Sequence, residues 1–169
     1  MRSLLVGLLL SAVAVFGDSG AGVRWTVPAN WKSEAQRPMR LGTYKAAPGA
    51  ECGVYYFGQG QGGSVEANVE RWVDQFLQAD GKPSKSAAKI AKRTVHGLPL
   101  TTVDVSGAYT GMGGPAAQPA PAVARYRMLG AIVEGPRGSI FFKFVGPGKT
   151  IAQNQAAFDK MIASLAPVK

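Results

Sequence analysis

Residues 141–150 read Phe-Phe-Lys-Phe-Val-Gly-Pro-Gly-Lys-Thr, an apolar run, a glycine-bearing turn and a Lys-Thr pair, and a helical pattern follows. Strand, glycine loop, Lys-Thr, helix is the order of a phosphate-binding loop. That loop also needs Gly, four residues, then Gly-Lys-Ser/Thr, so that backbone N–H groups wrap the phosphates. Counting back from Gly148 puts the first glycine at 143, where Lys143 stands. Pro147 removes a further N–H donor. The stretch therefore reads as a turn and a helix start, with Thr150 as N-cap and Gln153 completing a capping box. ATP is not expected as a ligand. Lys149, beside the helix start, keeps the lesser role of holding a single anion.

The other reactive residue types are sparse. His96 is the one histidine, so a histidine-rich metal site is excluded, and only carboxylate ligands remain for a hard cation. The spacing Val95-His96-Gly97-Leu98 reads as a tight hairpin turn, and His tolerates the positive φ that such turns impose. A Ser-His-Asp triad would have to recruit His96, and no Gly-x-Ser-x-Gly elbow is present. Cys52, the only cysteine, cannot form an intramolecular disulfide and sits in an apolar strand-like run, where it reads as a small buried hydrophobe. Glu66, Glu70 and Asp74 recur at helical spacing. They suit either acid–base work or a solvated helix flank. Asp104, Arg125, Arg127 and Lys143 are charges inside strands, placed either to line a polar cleft or to make cross-strand pairs. With Lys149, these four are the candidate interaction residues. No motif implies a cofactor, a metal centre or a catalytic set.

Charge and the N-terminus bound the setting. The 169 residues carry 19 Lys and Arg against 10 Asp and Glu, a formal net charge of +9. Such a chain suits an anionic envelope polymer or surface. Its densest basic stretch, Lys82, Lys85, Lys89, Lys92 and Arg93, has no interleaved aromatic, so a base-stacking nucleic-acid platform is not indicated. The chain opens Met-Arg-Ser and runs uncharged and apolar from Leu4 to Phe16. That run is too short to span a bilayer, which takes about 20 residues, and fits the apolar region of a secretory leader. Residues 1–21 are expected to be a signal peptide cut between Gly17 and Ala21, and 22–169 a single secreted or periplasmic domain.

Two helices and seven strands must position these residues. Val65, Val69, Trp72 and Phe76 repeat at helical spacing behind Ser64, a natural N-cap, and the pattern predicts a helix over Ser64–Asp80. Ile151, Gln155, Phe158, Ile162 and Leu165 predict a second helix from Thr150. Strands are expected over Val23–Val27, Arg40–Lys45, Cys52–Phe57, Lys89–Val95, Leu100–Tyr109, Ala124–Glu134 and Ser139–Val145. Met128–Val133 is apolar at both parities, so its sheet must be covered on both faces. Short connections make the pairing antiparallel. The fold class is α+β: an antiparallel sheet of six or seven strands with helices on its faces. A Gly/Pro/Ala-rich loop, Thr110–Val123, reads as a surface excursion.

This order resembles that of the PsbP-like α/β/α sandwich superfamily, and Pro28 and Trp31 in "RWTVPANWK" match its strand-Pro-x-x-Trp opening. The segments "EANVERWVDQF", "VDVSGAY" and "YRMLGAIVE" are similar to those of a group of exported bacterial proteins of unassigned function. The resemblance implies an accessory, non-enzymatic domain that binds a protein or an anionic envelope component. A carrier of a small ligand held between sheet and helix is the alternative, and an enzyme of unrecognised type the third.

Overall fold

The computed structural model describes residues 17–111 and 123–168. Most of the expected leader, residues 1–16, and the middle of the Gly/Pro/Ala loop, residues 112–122, lie outside the described residues.

The longest strands form the centre. β8 (Leu98–Tyr109), β9 (Val123–Gly135) and β10 (Gly138–Pro147) follow one another antiparallel, and β5 (Ala50–Tyr55) pairs with the far edge of β10. β4 (Arg40–Ala47) and the two-residue β3 (Lys32–Ser33) continue beyond β5. At the other edge β8 is shared by two partners. β7 (Lys89–Val95) covers Leu98 to Asp104, and β6 (Phe76–Leu77) covers Ala108 and Tyr109. The result is an eight-stranded antiparallel sheet. A small second sheet joins β1 (Gly17–Gly20), β2 (Val23–Thr26) and β11 (Ala166–Pro167). The expected first strand therefore belongs to this second sheet, and short strands that no run of residues announces extend the main one.

Alternation along β9 and β10 splits the core in two. Leu129, Ala131, Val133, Ile140, Phe142 and Phe144 face α2 (Gly148–Ala163) and the small sheet. Met128, Ile132 and Phe141 face α1 (Val65–Val73), with Val103, Val105 and Phe76 beside them. Trp25, Trp31 and Trp72 are all buried in these two layers. Cys52 is buried in the α2 layer, which pushes its thiol well above the usual range and leaves it unreactive. Hairpin β7–β8 turns through His96 and Gly97, both at positive φ, as the sequence implied. The His96 Nδ1–H also donates to the Leu165 carbonyl at 2.8 Å, fixing the end of α2.

Two helix expectations need correction. α1 ends at Val73, not Asp80. The physical cause is the edge of β8: β7 stops at Asp104, so the backbone of Ala108 and Tyr109 needs another partner, and Phe76–Leu77 turn extended to supply it. Thr110 locks the turn by donating both N–H and Oγ1 to the Gln75 carbonyl. The capping box at Thr150 does not form either. β10 runs to Pro147 and α2 begins at Gly148 with no side-chain cap, so Thr150 lies inside the first turn. No loop separates strand from helix, which removes the last feature of a phosphate loop.

β1 falls within the residues assigned to the leader. It pairs with β2 along its length, and the buried Tyr44 hydroxyl donates to Asp18 Oδ2 at 2.7 Å while accepting from Trp25 Nε1 at 3.0 Å. Loss of Asp18 strands a buried hydroxyl, at a cost of about 1–3 kcal/mol. A chain beginning at Asp18 should therefore resist denaturant better than one beginning at Gly22. Equal midpoints would show that β1 adds nothing to the fold. Trp72 and Phe158 each anchor a helix to the sheet, and either truncation to Ala should lower stability by about 3–5 kcal/mol in a denaturant titration.

Candidate functional site

α1 is nine residues long and α2 is 16. The face under α2 is closed, whereas α1 covers only part of its own. Beyond the end of α1, the sheet surface presents Tyr55 from β5, Lys143 and Val145 from β10, Tyr126 from β9 and Tyr109 from β8. The four apolar and aromatic residues of this set are half-buried, but Lys143 is only 6% exposed.

Glycines make room for that lysine. Its cross-strand neighbours are Gly53 on β5 and Gly130 on β9. A Cβ at Gly53 would come within 2.7 Å of the Tyr55 ring, and one at Gly130 within 2.6 Å of Trp72. The two rings therefore lie over the glycines and wall Lys143 on either side. The ammonium donates to Gln75 Oε1, just past the end of α1, and sits 5.6 Å from the centre of the Tyr109 ring. Tyr126 stacks parallel to Tyr109 at 5.8 Å. Phe57, exposed at the rim, stacks on Tyr55 at 6.4 Å. Arg40 lies 4.8 Å over the other ring, Tyr55, and pairs with Glu51. Arg71 donates to Asn68 and makes no ion pair with the described residues.

Electrostatically this is an uncompensated site. All ten acids of the chain lie among the described residues, and none bridges Lys143. The charges it feels are Arg71 and Arg40, both positive. Burial first, and then these two, pull its pKa down to about 8. One amide oxygen and one ring face serve an ammonium with three N–H donors. Burial also raises Tyr55 and Tyr109, so both stay neutral at physiological pH.

The remaining candidate residues go elsewhere. Asp104 and Arg127 form a two-pronged pair at 2.8 Å and 2.8 Å on the α2 face, and Arg127 also donates to Gln155 of α2. They clamp helix to sheet, and Asp104 holds the Arg127 guanidinium firmly charged. Arg125 is exposed on β9 at a φ of 62°, and Lys149 is exposed in the first turn of α2. The five residues thus do not share one cleft, and only Lys143 has a site around it. Glu66 and Glu70 are solvated partners of Lys92 and Lys85. Sequence reasoning missed Tyr55, Tyr109, Tyr126, Gln75 and Arg71. The available signal was glycine beside lysine on three adjacent strands, which shows only once the register is known.

Folded Lys143 loses its proton at a lower pH than the unfolded chain does. Stability should therefore rise as pH goes from about 8 toward 10, because the unfolded state there binds more protons. Above about 10 the raised tyrosines reverse the slope. At neutral pH the buried charge costs on the order of 3 kcal/mol. Lys143→Met, which keeps length and removes charge, should raise the melting temperature at pH 7, and the gain should shrink by pH 9.5. A lower melting temperature at pH 7 would mean that the ammonium is held by the fold.

No family model matches the chain, and no curated protein does. Among solved structures it is similar to cyanobacterial PsbP (CyanoP) from Synechocystis sp. PCC 6803. That likeness has a TM-score of 0.57 and 11% identity over 97% of this chain and 99% of that one. It is also similar to PA94, a protein of unknown function from Pseudomonas aeruginosa, with a TM-score of 0.47 and 10% identity over 92% and 98% of the two chains. The chain therefore has the PsbP-like fold, as its antiparallel sheet between two helices already indicated.

Proposed function

We propose that this is an exported, non-enzymatic accessory domain whose partner, a protein or an envelope component, presents an anionic group to the open half of the α1 face. One observation carries the reading. Lys143 is a buried cation with no counter-ion among the described residues, which include every Asp and Glu of the chain. Folds shed such charges unless something outside the chain uses them. The overall positive charge agrees with an anionic partner. The apolar opening of the chain supports export. No helix among the described residues is long and apolar enough to cross a membrane.

A carrier of a small apolar ligand is the second reading. A groove of about 300 Å³ between α1 and β7 favours it, lined by Val65, Val69, Val73 and Ile90. Ion pairs Glu66–Lys92 and Glu70–Lys85 rim that groove.

The test is parallel affinity capture from envelope extract with the processed protein and its Lys143→Met variant as baits. A component retained by the first and lost from the second is expected. Identical captures would remove the open face from the binding surface. Recovery of the chain from cytoplasm with its first residues intact would reject export.

A further inference from the structure

We propose that the cleft around Lys143 is a carboxylate-binding site that takes a single carboxylate carried on an aromatic or flat apolar body. The inference rests on the reading of the open face as an anion-receiving surface and names its ligand chemistry.

Among the described residues Lys143 has N–H groups beyond the one given to Gln75, and no Asp or Glu bridges them. Residues 112–122, outside the described residues, contain no Asp or Glu. Arg71, on the last turn of α1, is a second cation without an ion-pair partner among the described residues. Arg40, the third, is already neutralised by Glu51. A ligand group with one negative charge shared between Lys143 and Arg71 replaces the missing counter-ion. Phosphate has no apolar body to set against the aromatic walls and gives up more hydration than a carboxylate on entering a mostly buried site.

The walls define the rest of the ligand. The Tyr109–Tyr126 stack and the Tyr55–Phe57 stack flank the ammonium, and Phe57 is exposed at the rim. Half-buried rings on either side of an ammonium offer a planar apolar body stacking or edge contact. A free aromatic acid and the terminal carboxylate of a partner chain ending in an aromatic residue share this chemistry.

The titratable and charged groups facing Lys143 are Arg71 from α1, Arg40 from β4, Glu51 and Tyr55 from β5, Tyr109 from β8 and Tyr126 from β9. Burial brings Lys143 down to about 8 and raises Tyr55 and Tyr109, which therefore stay neutral between neutrality and pH 9. A bound carboxylate favours the ammonium, so affinity must fall as pH rises through about 8.

The experiment titrates the protein calorimetrically with benzoate, with inorganic phosphate, and with a short peptide ending in phenylalanine, its C-terminus free or amidated. Saturable benzoate binding is expected, at least tenfold tighter than phosphate, weakening from pH 7 to pH 9 and absent in Lys143→Met. Circular dichroism and thermal melting establish that the variant is folded. Binding of the free-acid peptide but not of its amide, at higher affinity than benzoate, would identify the source as a partner's chain end. Benzoate as tight or tighter would identify a free acid. Phosphate binding equal to benzoate, undiminished binding in Lys143→Met, or no binding of any carboxylate probe would overturn the proposal. If carboxylates fail while envelope capture still depends on Lys143, the anion-receiving face stands and only its carboxylate chemistry falls.

Discussion

A sheet that is apolar on both sides has to be covered on both sides, and this chain covers its two sides unequally. β9 and β10 carry large apolar residues at both parities, so neither face can meet water. One face receives the four turns of α2 together with a three-stranded sheet. The other receives the nine residues of α1, whose apolar anchors are Val69, Trp72 and Val73. Past Val73 that face is furnished mainly with tyrosines and a lysine, beside the single aliphatic Val145. The composition of the site follows from the length of the helix above it.

That length is set by the edge of the sheet. β8 outruns β7, and an unpaired strand end is costly when its side chains are packed into a core. Phe76 and Leu77 give up helical geometry to pair with Tyr109 and Ala108. Gln75, at the turn this creates, then reaches Lys143. One backbone constraint thus ends α1, exposes the tyrosines and supplies the lysine's single acceptor among the described residues. On the opposite face, Asp104 and Arg127 show how the same chain treats a charge it needs only for structure: both partners present, bidentate, and tied into a helix through Gln155. The contrast between the two faces is the reason to read Lys143 as functional.

Much of this was legible in the residues. The β7–β8 hairpin, the long central strands, the Ser64 cap and the buried roles of Trp72 and Phe158 follow from local pattern and turn chemistry. The end of α1 was not, because Asp74-Gln75-Phe76-Leu77 contains no helix breaker, and only a strand distant in sequence asks for those residues. Thr150 offered a good cap that a continuous strand–helix junction made unnecessary. Lys143 stood out as a charge in an apolar strand, but Asp104 and Arg127 stood out equally. What separates them is register: Lys143 sits between two glycines, and Arg127 sits within reach of an acid.

The central claim is that Lys143 is a buried cation which no Asp or Glu of the chain pairs. Its most direct test is a titration of the Lys143 Cε and Hε resonances in protein carrying ¹³C-labelled lysine, assigned by comparison with Lys143→Met. The account predicts a midpoint near pH 8, far below the other lysines. A midpoint in the ordinary lysine range, about 10.4, would mean that the ammonium is solvated or paired after all, and would contradict the account.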